Sequence, residues 1–300
     1  MEFRPRVSGG ISYKSLGGDF LCCYTHQEQI TFSLPARITT MNNIQQLQCL
    51  LVQAQLFWAD ASANRQALES VAREQGSDCD LIVFPETFTS GFLGDSAAQP
   101  EGMDGATLDW MKTLASELDS VICGSAAIST SRGTANRFLW VQPDGEVQFY
   151  DKRHLFSYGG ENRRYVAGTE RKVFHYRGWR ICPQVCYDLR FPAWCRNRDD
   201  YDALLFVANW PEPRTSAWTS LLKARAIENQ CYVIGVNRSG EDPRGLKYSG
   251  GSAVYDPLGE SILDLGSEEC SDKAAIDLEK VSLIRSQLPF QQDADDFELV

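Results

Sequence analysis

Histidine is scarce in this sequence: three in 300 residues, His26, His154 and His175. None follows Cys186, so a thiol–histidine pair of the papain kind has no candidate base downstream of that cysteine. A zinc site of paired ligands is missing as well, because Cys182-x3-Cys186 has no second Cys or His pair at ligand spacing. No apolar run reaches the roughly eighteen residues of a membrane-spanning helix, and the N-terminal stretch lacks the apolar core and small-residue cleavage site of a secretory signal. Positive charge is also short, with 29 Lys and Arg against 40 Asp and Glu, a net charge of −11. Such a chain repels polyanions, which argues against nucleic acid and anionic membranes as partners and favours a small molecule. The expected location is the cytoplasm.

A hydrophobic share of 43% with 11% aromatics is enough for a substantial core. The ten cysteines are spread along the chain rather than clustered as in a small disulfide scaffold, and most read as small buried apolar residues. Residues 1–40 carry Gly9-Gly10, Gly17-Gly18 and Cys22-Cys23 without helical or strand period, and are expected to form a flexible extension or a misassigned start. From Leu47 onward, strand and helix patterns alternate. Leu47–Leu56, Leu81–Phe84, Val121–Ile128 and a hairpin of Phe138–Val141 with Val147–Tyr150 make one series. Arg180–Val185, Ala203–Ala208, Cys231–Asn237 and a hairpin of Ser252–Tyr255 with Ser261–Leu265 make a second, with helices expected at 62–75, 107–118 and 216–229. Each series closes on a Pro-containing, Gly-ended turn (143–145 and 256–259), a sign of internal duplication. Two buried sheets face to face with helices outside give an α/β fold, a four-layer α-β-β-α sandwich over residues 41–300.

Three segments carry chemistry. Phe84-Pro85-Glu86 sets a carboxylate directly after a buried strand, where α/β proteins keep their ligands, and desolvation there would suit it to work as a base. Lys152, in Asp151-Lys152-Arg153-His154-Leu155-Phe156, follows the first hairpin; an ammonium held at a strand end can stabilise a developing oxyanion. In Val185-Cys186-Tyr187-Asp188-Leu189-Arg190-Phe191-Pro192 a strand runs into a cysteine just before a helix-forming segment. That is the elbow on which hydrolases expose a nucleophile, with the following N–H, of Tyr187, free to hold an oxyanion. With no histidine available, the base would have to be a carboxylate. Cys182 reads as structural.

Taken together, these blocks resemble the nitrilase, or carbon–nitrogen hydrolase, superfamily, whose Glu-Lys-Cys triad lies in this order on strand ends. The resemblance implies Glu86 as base, Lys152 as oxyanion-stabilising cation, Cys186 as nucleophile and Glu161 as a second glutamate orienting the lysine. It implies the sandwich fold, a homodimer or higher homo-oligomer, and no cofactor or metal. The segments Val207–Arg214 and Ala224–Gln230 and the ending Pro289–Asp295 look like the bacterial omega-amidase branch, which implies a small ω-amide of a 2-oxo acid as substrate. Candidate substrate-binding residues are then Tyr187, Arg190 and Arg214, with Arg190 expected to be tied to Asp188. Another carbon–nitrogen hydrolase activity, or a catalytically silent binding protein on the same fold, is the alternative.

Overall fold

The computed structural model describes residues 46–92 and 100–298; the extension expected at 1–40 lies outside them. The chain opens with β1 (Gln46–Gln53), α1 (Ala61–Gln75), β2 (Leu81–Val83), α2 (Ala106–Leu118), β3 (Val121–Thr130), β4 (Gly133–Val141) and β5 (Val147–Asp151). The second series runs β6 (Phe174–Tyr176), β7 (Trp179–Val185), α3 (Pro192–Cys195), β8 (Ala203–Ala208), α4 (Thr215–Asn229) and β9 (Tyr232–Asn237). After it come a short ribbon of β10 (Ser239–Glu241) with β11 (Lys247–Ser249), then β12 (Ala253–Tyr255), β13 (Ser261–Asp264), β14 (Cys270–Asp277) and α5 (Leu278–Gln287). Local chemistry sets several of these boundaries. The Asp60 carboxylate accepts from Ala63 N at 2.9 Å and starts α1, and Asp277 accepts from Glu279 N at 2.9 Å and starts α5.

Two six-stranded sheets form, in the orders β14-β1-β2-β3-β4-β5 and β13-β12-β9-β8-β7-β6. In the first, β1, β2 and β3 are parallel and the β4–β5 hairpin is antiparallel. In the second, β7, β8 and β9 are parallel and the β12–β13 hairpin is antiparallel. One antiparallel strand, β14 or β6, completes each sheet on the far side of the parallel trio. The duplication suggested by the two turns is therefore visible in strand pattern. Both turns end on a glycine in the left-handed region, Gly145 at φ 85° and Gly259 at φ 82°, which a residue with a Cβ adopts only with strain.

Side chains alternate across the strands and give each sheet two apolar faces. Leu51, Val83, Phe138 and Trp140 of the first sheet meet Val185, Leu205, Val207 and Ile234 of the second in a central core. On the other face of the first sheet, Ile82, Ile122 and Leu139 pack under Leu68 of α1 and Met111 and Leu114 of α2. The outer face of the second sheet, with Leu204, Phe206 and Val233, is covered by Trp218 and Leu222 of α4. Three cores between four layers make the α-β-β-α sandwich. β4 begins at Gly133, five residues before the apolar run, because Gly133-Thr-Ala-Asn-Arg137 pairs with β3 despite its polar content. The β10–β11 ribbon has no strong apolar pattern and is seen only in the structure.

Gly235 of β9 shows how closely the second helical layer sits. A Cβ there would stand 2.5 Å from Leu222 Cδ1 and 3.0 Å from Trp218 Cζ2, both on fully buried side chains. Gly235→Val is expected to cost about 1–3 kcal/mol through overpacking. Thermal denaturation checks this, and an unchanged midpoint would show that α4 moves away freely.

Candidate active site

The parallel trios end at the same place. Glu86 lies just beyond β2, Cys186 just beyond β7, Asn209 just beyond β8 and Lys152 just beyond β5. Strand ends are where backbone pairing stops and side chains can turn into a crevice. The structure brings Glu86, Lys152, Glu161 and Cys186 together, although they are far apart in the chain.

Lys152 is buried, 1% exposed, between two fully buried carboxylates. Its Nζ donates to Glu86 Oε1 at 2.8 Å and to Glu161 Oε1 and Oε2 at 3.0 and 2.9 Å, so all three ammonium protons have acceptors. Burial alone would lower the lysine's pKa, but the charges of Glu161 and Glu86 outweigh it and hold the pKa well above the ordinary value. Burial raises the Glu161 pKa against the pull of Lys152. Glu161 opens a short 3-10 turn in the loop after β5, and its Oε2 also accepts from Phe156 N at 2.6 Å. Glu86 is held from both sheets. Oε1 accepts from Asn136 Nδ2 of β4 at 2.8 Å, and Oε2 accepts from the Asn209 backbone N at 2.8 Å.

Cys186 begins a 3-10 turn, Cys186–Arg190, with φ at +46°. A side chain in this left-handed region costs roughly 1–2 kcal/mol, so the conformation persists only because the surroundings impose it. The strand-to-helix elbow expected from the sequence is therefore present. Burial and the neighbouring Glu86 carboxylate push the thiol pKa well above its ordinary value, while Lys152 pulls it down. A thiol raised in this way favours its neutral form and would need a proton acceptor to act as a nucleophile. Glu86 lines the same cavity as the thiol and is the carboxylate available there for that role. Cys182 is fully buried, as a structural cysteine should be.

A cavity of about 260 Å³ opens over Cys186, Lys152 and Glu86 and is walled by Phe156, Tyr187, Trp210 and Tyr248. Arg190, Arg214 and Arg244 also line it. The Arg190 guanidinium lies 4.8 Å over the Trp210 ring and that of Arg214 5.2 Å over Phe156, while Arg244 pairs with Asp242 at 3.5 Å. Among the described residues neither Arg190 nor Arg214 has a carboxylate partner. This corrects the expected Arg190–Asp188 tie: the Asp188 carboxylate is taken up by Tyr150, His154 and the Val185 N–H, and Arg190 turns into the cavity instead. Among the described residues no cluster of three or more His, Cys, Asp or Glu is arranged to hold a metal ion, and no helix is long and apolar enough to cross a membrane.

Sequence reading missed several members of the site. Asn136 sits in the polar half of β4, where no strand pattern marks it. Tyr248 and Arg244 come from the β10–β11 ribbon and its turn. Asn209 was missed as well, although its place directly after a buried strand, like that of Glu86 and Cys186, was a signal that could have found it.

A family model described as carbon-nitrogen hydrolase matches residues 51–286. A Yersinia enterocolitica protein named omega-amidase YafV is 46% identical over 257 residues, 85% of this chain and 99% of the relative. A Bacillus subtilis protein named 2-oxoglutaramate amidase is 32% identical over 252 residues, 82% of this chain and 96% of the relative. Among solved structures, a CN-hydrolase superfamily protein of Xanthomonas campestris with an arsenic adduct in its active site superposes with a TM-score of 0.83 at 45% identity, covering 85% of this chain and 99% of that one.

The electrostatics give a direct test. After burial, the Glu86 charge is the largest influence raising the Cys186 pKa, and removing an anion beside a thiol favours the thiolate. Glu86→Gln should therefore move the pH inflection of Cys186 alkylation by iodoacetamide, followed by mass on that residue, to lower pH. An inflection that stays in place would show that the Glu86 charge does not set the Cys186 pKa.

Proposed function

The chain belongs to the carbon-nitrogen hydrolase family, and we propose from that premise that it is an omega-amidase acting through a Cys186 thioester. It hydrolyses the terminal amide of a 2-oxo dicarboxylic monoamide such as 2-oxoglutaramate or 2-oxosuccinamate to the 2-oxo dicarboxylate and ammonia. The names of its relatives support the reaction. The observation that carries it is a thiol, a carboxylate and an ammonium lining the same cavity as two arginines, Arg190 and Arg214, that have no carboxylate partner among the described residues. In a chain of net charge −11, those arginines are the local cations an anionic substrate needs.

In the proposed mechanism Glu86 takes the Cys186 thiol proton as sulfur attacks the amide carbonyl. The oxyanion is met by Lys152 and the Tyr187 N–H, with one Glu161 contact of the ammonium exchanged for the substrate oxygen. Collapse breaks the carbon–nitrogen bond, and Glu86 returns its proton to the leaving ammonia. Glu86 then draws a proton from water, which cleaves the thioester, frees the dicarboxylate and restores the thiol. The distal carboxylate is assigned to the Arg214 fork, with Arg190 beside it. Tyr187, which lines the same cavity, completes the proposed substrate-binding set. A catalytic domain of residues 41–300, a homodimer or higher homo-oligomer and a cytoplasmic location complete the proposal, on the strength of the family resemblance.

Cys186→Ala should abolish ammonia release from 2-oxoglutaramate with circular dichroism unchanged; more than a tenth of wild-type activity would remove Cys186 from the role. A panel of ω-amides, ureido acids and nitriles separates the omega-amidase reading from other carbon–nitrogen hydrolases. A silent protein would release nothing from any of them. Arg214→Lys keeps the charge but loses the fork, so KM for 2-oxoglutaramate should rise more than for a neutral short amide. Equal changes would show that Arg214 does not read the carboxylate.

A further inference from the structure

Asp188 is fully buried, lines no part of the cavity and takes no step in the mechanism above. Its carboxylate nonetheless receives four hydrogen bonds. Oδ1 accepts from His154 N at 2.9 Å and lies 2.8 Å from His154 Nδ1. Oδ2 accepts from the Tyr150 hydroxyl at 2.8 Å and from Val185 N at 3.1 Å. The placement of these donors is not random along the chain. Tyr150 and His154 stand two residues before and two after Lys152, and Val185 immediately precedes Cys186.

The donors are themselves immobilised. The Tyr150 oxygen accepts from Trp194 Nε1 and Arg153 N, both at 3.1 Å, so its single proton is directed to Asp188. The His154 ring stacks on Phe191 with centroids 3.7 Å apart and planes 7° from parallel, which presents Nδ1 to the carboxylate. One side chain thus ties the end of β5, on an edge of the first sheet, to the turn after β7 in the second. The Asp188–Val185 bond also closes the turn in which Cys186 is held at positive φ.

We propose that Asp188 is a positioning residue that sets the separation between the Lys152 ammonium and the Cys186 sulfur. The inference rests on the reading of Lys152 as the oxyanion's cation. Oxyanion donors work only within about 2.7–3.1 Å of the developing charge, and a displacement of about 1 Å can cost on the order of 10²-fold. The ammonium is anchored to Glu86 and Glu161, neither of which lies on the nucleophile's turn. Asp188 supplies the connection from that turn.

A double-mutant cycle tests it, because a residue acting through Lys152 has no effect once Lys152 is gone. Asp188→Asn, Lys152→Ala and the double variant are compared for 2-oxoglutaramate turnover and for acylation of Cys186 by a p-nitrophenyl ester. Asp188→Asn should lower kcat about tenfold or more with KM nearly unchanged in the Lys152 protein, and by less than about twofold in the Lys152→Ala protein. If Asp188→Asn does not fold, Tyr150→Phe, which removes one of the four donors, carries the same cycle. Equal factors in both backgrounds, or a lower melting temperature with kcat retained, would overturn the proposal. An enzyme that ignores the amide yet shows the coupling with the ester sinks the substrate assignment and leaves the positioning role standing.

Discussion

A lysine ammonium buried between two carboxylates is the constraint around which this site is organised. Taking Lys152, Glu86 and Glu161 out of water costs several kcal/mol per ion, recovered only if charge and hydrogen bonding are satisfied together. The three Nζ contacts at 2.8–3.0 Å meet that condition on the lysine side. The carboxylates need more donors than one lysine can provide. Asn136 from β4, the Asn209 backbone beyond β8 and the Phe156 N–H in the loop supply them. Satisfying one buried cation thus recruits both sheets and fixes the course of the loop that follows β5.

The same arrangement governs the chemistry. A thiol with a raised pKa beside an anion is a poor nucleophile until its proton leaves, and in the proposed mechanism that anion, Glu86, takes it. The lysine favours the charged sulfur and, in the proposed mechanism, a charged oxygen, while two surrounding carboxylates favour its own charged form. In that proposal acid, base and electrostatic roles are separated by environment, since no histidine lines the cavity among the described residues. The arginine side of the cavity answers a different need. Its guanidinium groups lie on aromatic faces, which orients them without consuming their donors.

Two stacked sheets of matching strand pattern explain why such distant residues meet. Each sheet contributes a parallel trio whose strands finish at one crevice, and the central apolar core locks the two sheets in register. Asp188 and Asn209 add polar ties across that junction. Those ties run between strand ends rather than through the core, where an unpaired polar atom would be costly.

By itself the sequence determined the alternation of strands and helices, the two-series layout and the strand-end positions of Glu86, Lys152 and Cys186. These are local properties: an apolar run of strand length, a turn residue and the polar side chain that follows it are contiguous in the chain. Only the tertiary structure decided that Asn136 and Asn209 share Glu86, that Arg190 faces the cavity rather than Asp188, and that a ribbon without apolar pattern brings Tyr248 and Arg244 to the cavity wall. Such pairings depend on which buried donor reaches which acceptor once the sheets are stacked. That choice is set by desolvation in the assembled crevice, and no stretch of neighbouring residues encodes it.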